Sequence, residues 1–306
     1  MSRTGTHSRP ISIWLFTDNK PGHRNQLEGL INALAERRPL NCVWIASDRS
    51  CSSVLSTLAK MYRSLHPDLI IGAGHNTHKY LLLSRLLAGG KIIVLMKPSL
   101  PTRWFDLVLI PAHDATKSGD NIITTQGVIN KIKPSRHHDS ARGLFLIGGP
   151  SKHHDWDNNG LASQIETVIH AHPTIHWQLV TSRRTPPDFI EYLGKIDGKL
   201  KIIRHTETDA DWLPHQLSDA GQVWVTEDSV SMVYEALTSG ASTGLLEIPN
   251  KKTGRIQRGI EQLIENKTLF SYSTWLKTQR LPAPSLTLNE ARRCADLILT
   301  HFNHAN

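Results

Sequence analysis

Two rhythms of apolar positions alternate along this chain. Short apolar runs bounded by turn residues are followed by longer stretches in which apolar positions recur every three or four residues. The first rhythm predicts buried strands and the second amphipathic helices. Strands are expected at Ile11–Thr17, Cys42–Ala46, Asp68–Gly74, Lys91–Met96, Leu107–Ile110 and Ile122–Thr124. After a polar interruption they resume at Gly143–Ile147, Trp177–Thr181, Leu200–Arg204, Val223–Val225 and Ser242–Ile248. Helices are expected between them: one after the Pro21-Gly22 turn, others at Val54–Tyr62, Thr77–Leu87, Leu161–His170, Pro187–Leu193, Trp212–Ser218 and Gly259–Glu265, and a last one at Asn289–Phe302. Such alternation predicts an α/β protein built on parallel sheets. The charged stretch Lys131–Arg142 reads as a linker. It divides the chain into an N-terminal domain, 1–135, and a C-terminal domain, 136–306, with the last helix free to return toward the first.

The unit Val223–Gly240 concentrates the pattern. A buried strand runs through the turn Thr226-Glu227-Asp228-Ser229 into a helix whose apolar face is Val230, Val233, Tyr234 and Leu237. Asp228 or Ser229 is expected to cap it, and Gly240 to end it. Ser231, Glu235 and Thr238 fall together on what should be a polar face. A helix start with hydroxyls and a carboxylate at the carboxyl end of a strand is where open α/β sheets bind ligands.

Composition narrows the class. No apolar run approaches the roughly 20 residues that span a bilayer, and the polar start MSRTGTHSRP lacks a signal-peptide core. A cytoplasmic protein is expected. Cys42, Cys51 and Cys294 are scattered and form neither a disulfide framework nor a metal motif. The pairs His137-His138 and His153-His154 point different ways on any regular element, so no metal is expected. A net charge of +8 suits phosphorylated ligands or an anionic membrane surface. No basic arm or finger signature points to nucleic acid.

Three constellations carry chemistry. After the first strand, DNKPGHRNQ offers Asp18 and His23 as base and partner and Lys20 as an anion contact, with Gly22 permitting close approach. IIGAGH, ending in Gly74 and His75, lacks the third position of the dinucleotide fingerprint, where Thr77 stands. No nicotinamide or flavin cofactor is expected, and an epimerase dependent on that fingerprint is set aside. In the second half, IGGPSKH and TSRRTP end neighbouring strands. Gly148 and Gly149 offer backbone N–H groups, Ser151 and Lys152 a hydroxyl and a charge, and Arg183 and Arg184 forked donors for phosphate. With Ser229 and Ser231 they form a candidate nucleotide cradle. Glu227 and Asp228 would repel phosphate unless the arginines offset them, or they meet sugar hydroxyls, or they only cap the helix.

WLFTDNKPGHRNQLEGL, DLIIGAGH, FDLVLIPAHD, IGGPSKH, SRRTP and VTEDSVSMVYEA occur here in the order found in the mitochondrial-fission Elm family. The chain resembles that family from about Trp14 to Ala241. The resemblance implies a GT-B glycosyltransferase-like fold, two Rossmann-like domains facing a cleft, usually without an essential metal. It places the nucleotide on the C-terminal domain, with Glu235 at the position that would hold the ribose. The acceptor would lie against the N-terminal domain, near Lys20, Gly22, Asn25, Gln26, Gly74 and His75, with Asp18 or His23 as base. The expected function is transfer of a sugar from a nucleotide-sugar donor to a cell-envelope glycan or glycolipid, with peripheral contact at the inner membrane. The alternative is a non-catalytic scaffold that acts in membrane or organelle fission through a protein partner.

Overall fold

A computed structural model describes residues 9–48, 50–61, 66–114, 119–194, 198–251, 255–284 and 287–303. The polar start Met1–Ser8 and Tyr62, expected to close a helix, lie outside the described residues. The chain divides into two compact units, residues 1–131 with 290–306, and residues 132–289.

The first unit holds strands β1 (Ile11–Thr17), β2 (Leu40–Ala46), β3 (Leu69–Ala73), β4 (Lys91–Leu95), β5 (Leu107–Pro111) and β6 (Ile122–Thr125). Their helices are α1 (Pro21–Ala35), α2 (Cys51–Met61) and α3 (His78–Ala88). All pairings are parallel, in the order β2-β1-β3-β4-β5-β6. Alternate residues serve opposite faces, as the strand period requires. Ile13, Leu15, Ile71, Ile93 and Leu109 pack against α1 on one face. Trp14, Phe16, Ile70, Ile92 and Val108 pack on the other, toward α2 and α3. Burial on both faces explains why β3 and β5 read as continuous apolar runs.

The second unit holds β7 (Asp139–Leu146), α4 (Asn158–Ala171), β8 (His176–Val180), α5 (Phe189–Tyr192), β9 (Leu200–Ile203), α6 (Trp212–Asp219), β10 (Ala220–Thr226), α7 (Val230–Ser239), β11 (Ser242–Leu246), α8 (Arg255–Glu265), β12 (Phe270–Ser271) and α9 (Tyr272–Thr278). Its parallel sheet runs β12-β11-β10-β7-β8-β9. Trp177, Trp224 and Trp275 anchor one face with Phe145, Ile165 and Leu179. Gly240 ends α7 in the left-handed region, at φ +88°, as a C-terminal glycine should.

Two features differ from the sequence reading. The last four residues of the expected linker, Asp139–Arg142, start β7: Asp139 already pairs with Ala220, and these residues read as polar because they are largely exposed. β12 and α9 were not expected, since a two-residue strand leaves no period to detect. The last helix, α10 (Glu290–Asn303), lies in the first unit, the return that the sequence reading left open, packed on α1 and with Asp296 paired to Arg37 just beyond it.

Each sheet reverses its direction of growth once, between β1 and β3 in the first and between β7 and β10 in the second. At such switch points the loops leave in opposite directions and open a crevice at the strand carboxyl ends.

Candidate functional site

At the first switch point, the residue after β1 is Asp18, whose side chain is 2% exposed. Pro21 occupies the first turn of α1, where its missing N–H costs nothing, and the helix starts without a side-chain cap. That start carries His23 back over the strand end. His23 Nδ1 lies 2.7 Å from Asp18 Oδ1, and Lys20 Nζ lies 3.5 Å from Oδ2. Burial opposes ionisation of Asp18. The hydrogen bond and charge of His23, with the backbone N–H and ammonium of Lys20, outweigh it and hold the carboxyl below its ordinary range. An ionised carboxylate only accepts, so Nδ1 carries the shared proton. The imidazole is 20% exposed, enough for a reactant to reach it.

β3 completes this site through Gly74. Its φ is +95°, and a Cβ there would stand 2.6 Å from His23 Nδ1 and 2.8 Å from Asp18 Oδ2. The glycine of IIGAGH therefore lets the second strand end close on the Asp–His pair. His75 and Gly22 are exposed beside it. Asn25 and Gln26 are engaged elsewhere: Asn25 Oδ1 accepts from the Lys131 N–H at 3.2 Å, and buried Gln26 donates to Met96 Sδ at 3.4 Å. His78 escaped the sequence reading. Burial, with the charge of His75, pushes it down to about 4, and its Nδ1 lies 3.2 Å from Ser99 Oγ. Its helical register among apolar neighbours was the available signal.

The second switch point is arranged differently. Asp228 is fully buried and pairs with Arg184 at 2.6 Å. It also accepts the Gly149 N–H at 3.0 Å, while Thr226 Oγ1 accepts the Gly148 N–H at 2.7 Å. Arg184 donates to the Gly149 carbonyl at 2.8 Å. Hence the two glycine N–H groups expected to be open to phosphate are taken up internally, because the β10 turn folds across the end of β7. Of the roles open to Asp228, the offset by Arg184 is realised. Neither Asp228 nor Ser229 caps α7: Ser229 occupies the N-cap position without a side-chain bond, and the first turn holds no acid. Ser231, Lys152 and Arg183 are exposed. Ser151 is turned inward, its Oγ accepting from the N–H groups of His153 and His154. Burial lowers His154, against the pull of Glu227 and Asp228. Glu235, expected on a polar face, is 8% exposed among buried neighbours. Helical spacing placed it with Ser231, but the last two turns of α7 are buried all round. Thr226, missed in the sequence, acts here as a buried acceptor.

No helix among the described residues is long and apolar enough to cross a membrane. Among the described residues no group of three or more His, Cys, Asp or Glu is placed to hold a metal ion.

A family model described as mitochondrial fission ELM1 matches residues 21–302. Uncharacterized protein RP120 of Rickettsia prowazekii (strain Madrid E) is 23% identical over a 352-residue alignment, which covers 94% of this chain and 98% of that one. A Listeria monocytogenes protein assigned as a UDP-N-acetylglucosamine 2-epimerase shares the fold at a TM-score of 0.63, with 15% identity over 97% of this chain and 98% of that one. Acinetobacter baumannii MurG shares it at 0.54, with 12% identity over 95% of this chain and all of that one. The fold is of the GT-B class, with two Rossmann-like α/β units. It is common to MurG and to a protein assigned as an epimerase, so the fold leaves the reaction open.

Proposed function

This chain belongs to the mitochondrial fission ELM1 family, and from that premise we propose that it is a glycosyltransferase using a nucleotide-sugar donor. The observation that carries the reading is the Asp18–His23 pair: a buried carboxylate that holds an imidazole by its Nδ1 at a switch point. In the proposed reaction His23 Nε2 takes the proton of an acceptor hydroxyl. The acceptor oxygen bonds to the sugar's anomeric carbon as that carbon's bond to the phosphate oxygen breaks, and the nucleotide leaves with the electron pair. Asp18 stabilises the imidazolium that forms. The leaving phosphates are met by the uncapped start of α7, which bears partial positive charge, and by Arg183 and Lys152. UDP is the first nucleotide to test, because the Listeria protein is named for a UDP-sugar. A thermal-shift and calorimetric screen of UDP, GDP, CMP and ADP, followed by assay of nucleotide release from the matching sugar donor, tests the reading. It predicts saturable binding of one nucleotide and release that needs an acceptor. Binding of none of them contradicts it.

The scaffold reading has one observation of its own: Gly148, Gly149 and Arg184 are satisfied internally, as a cradle without a ligand would be. It predicts no turnover with any donor. Epimerisation of the donor without an acceptor would retain the nucleotide site and replace the transfer step.

Peripheral contact with an anionic bilayer belongs to the same proposal, as does a cytoplasmic location and a glycan or glycolipid acceptor. Leu86, 82% exposed, and Leu87 end α3 beside Trp104, whose carbonyl accepts from Arg85 at 3.1 Å. Arg103 and Lys79 are exposed nearby in sequence. An aromatic and leucines among basic residues suit a lipid interface. Co-sedimentation with phosphatidylglycerol vesicles should be lost in Leu86→Glu; equal sedimentation of both proteins removes this face from the proposal.

A further inference from the structure

A second site stands at the opposite edge of the first sheet. The amino-terminal ends of β1, β3 and β4 and the last turns of α10 line a half-open cavity of about 310 Å³. Since β1 runs seven residues, this cavity lies about 20 Å from the Asp18–His23 pair. One wall is apolar, formed by Ile11, Leu69, Ile298, Leu299 and Phe302. The rim is cationic, with Arg9, Arg38 and Lys91 against the single carboxylate Asp68.

These charges are not equally engaged. Arg9 holds Asp68 at 2.5 Å, and the other Asp68 oxygen accepts the Ser12 N–H at 2.8 Å. Lys91 lies 3.5 Å from Asp106. Arg38 differs: its Nε is buried and has no hydrogen-bond partner among the described residues. A buried guanidinium N–H without an acceptor is costly, and guanidinium cannot shed its charge to escape. The chemistry that answers it is an anionic oxygen. The apolar wall asks at the same time for a hydrocarbon body. A free inorganic ion would leave that wall wet, and a neutral alkane would leave Arg38 unanswered. At roughly 30 Å³ for a water-sized group, the cavity has room for about ten such groups.

We propose that this cavity binds a single-chain acidic amphiphile of medium length, its carboxylate or phosphate on Arg38 and its chain along α10. Binding here would join β1, β3 and β4 to α10, the helix that clamps α1 and so the segment bearing His23.

The test uses the full chain and isothermal titration with decanoate and decyl phosphate, each kept below its micelle concentration. Decanol, inorganic phosphate and phosphatidylglycerol vesicles are run beside them. We expect one equivalent of either acidic amphiphile to bind, decanol to bind about tenfold more weakly or worse, and phosphate not to bind. Arg38→Met should lower affinity for both acidic amphiphiles about tenfold without lowering the melting temperature, because the buried N–H has no partner among the described residues to lose. Phe302→Glu, on the last turn of α10, should weaken binding similarly and keeps the test open if Arg38→Met fails to fold. No saturable binding, equal affinity in wild type and folded variants, or binding to vesicles alone would overturn the proposal.

Discussion

The two switch points differ in what they leave unsatisfied. At the end of β1 the carboxylate is buried and its partner imidazole, held by one nitrogen, is partly exposed. At the ends of β7 and β10 the polar groups are turned on each other, Asp228 against Arg184 and Gly149, Thr226 against Gly148. There Asp228 Oδ1 stays buried without a hydrogen-bond partner among the described residues, and the start of α7 has no side-chain cap. Two doubly wound sheets of different strand order thus carry, on the transferase reading, a site for proton transfer and a positive helix end. This is the division of labour that a transfer reaction with a departing nucleotide needs.

The largest effect that could break this contrast is at His23. A positioned general base contributes about 10²- to 10⁴-fold to rate. His23→Gln should lower kcat by a factor in that range and leave nucleotide affinity unchanged, measured by steady-state kinetics beside calorimetry. A parallel loss of nucleotide affinity would mean that the two sites are not separable.

A smaller effect sharpens the comparison through pH. His78 lies in the first unit with its pKa pushed down to about 4, below the 6.5 of the unfolded chain. The unfolded chain therefore takes the proton first. The contribution of His78 is complete above pH 6.5 and is lost as pH falls toward 4, by at most about 3 kcal/mol. Thermal melts of wild type and His78→Asn between pH 7.5 and 4.5 should show a steeper acid loss in wild type. Parallel curves would mean that His78 is not buried in its neutral form.

A smaller change still is expected at Asp228. Asp228→Asn keeps the shape but weakens the hold on Arg184, so stability should fall by about 1–3 kcal/mol. On the transferase reading the released guanidinium can turn to phosphate, and nucleotide affinity should rise a few-fold by calorimetry. On the scaffold reading only the melting temperature moves.

Much of this was legible in the chain. The strand–helix alternation gave nearly every element, because burial on both sheet faces makes the strands of the first unit read as apolar runs. Asp18 and His23 were visible as reactive residues, and Gly74 as a turn glycine, at strand ends. Their convergence was not, since strand order is set by packing and leaves no local trace. Nothing in the sequence says that β3 lies beside β1 or β10 beside β7. Glu235 shows the complementary failure: spacing placed it on one face with Ser231, but spacing does not reveal what covers that face. Arg184 was read as a phosphate contact because its fork suits phosphate, and the same fork suits the carboxylate that the fold delivers to it.

The claim at the centre of this account is that phosphates of a nucleotide meet the open start of α7. Ser231 is exposed in the first turn of that helix, where no acid stands. Glutamate there complements the helix dipole, worth about 0.3–1 kcal/mol in favour of the fold, while opposing a bound phosphate. Titration of UDP into wild type and Ser231→Glu is therefore the most direct test. The account predicts an affinity at least about tenfold weaker in the variant, with a melting temperature equal to or above that of wild type. Equal affinities in two equally stable proteins would contradict it.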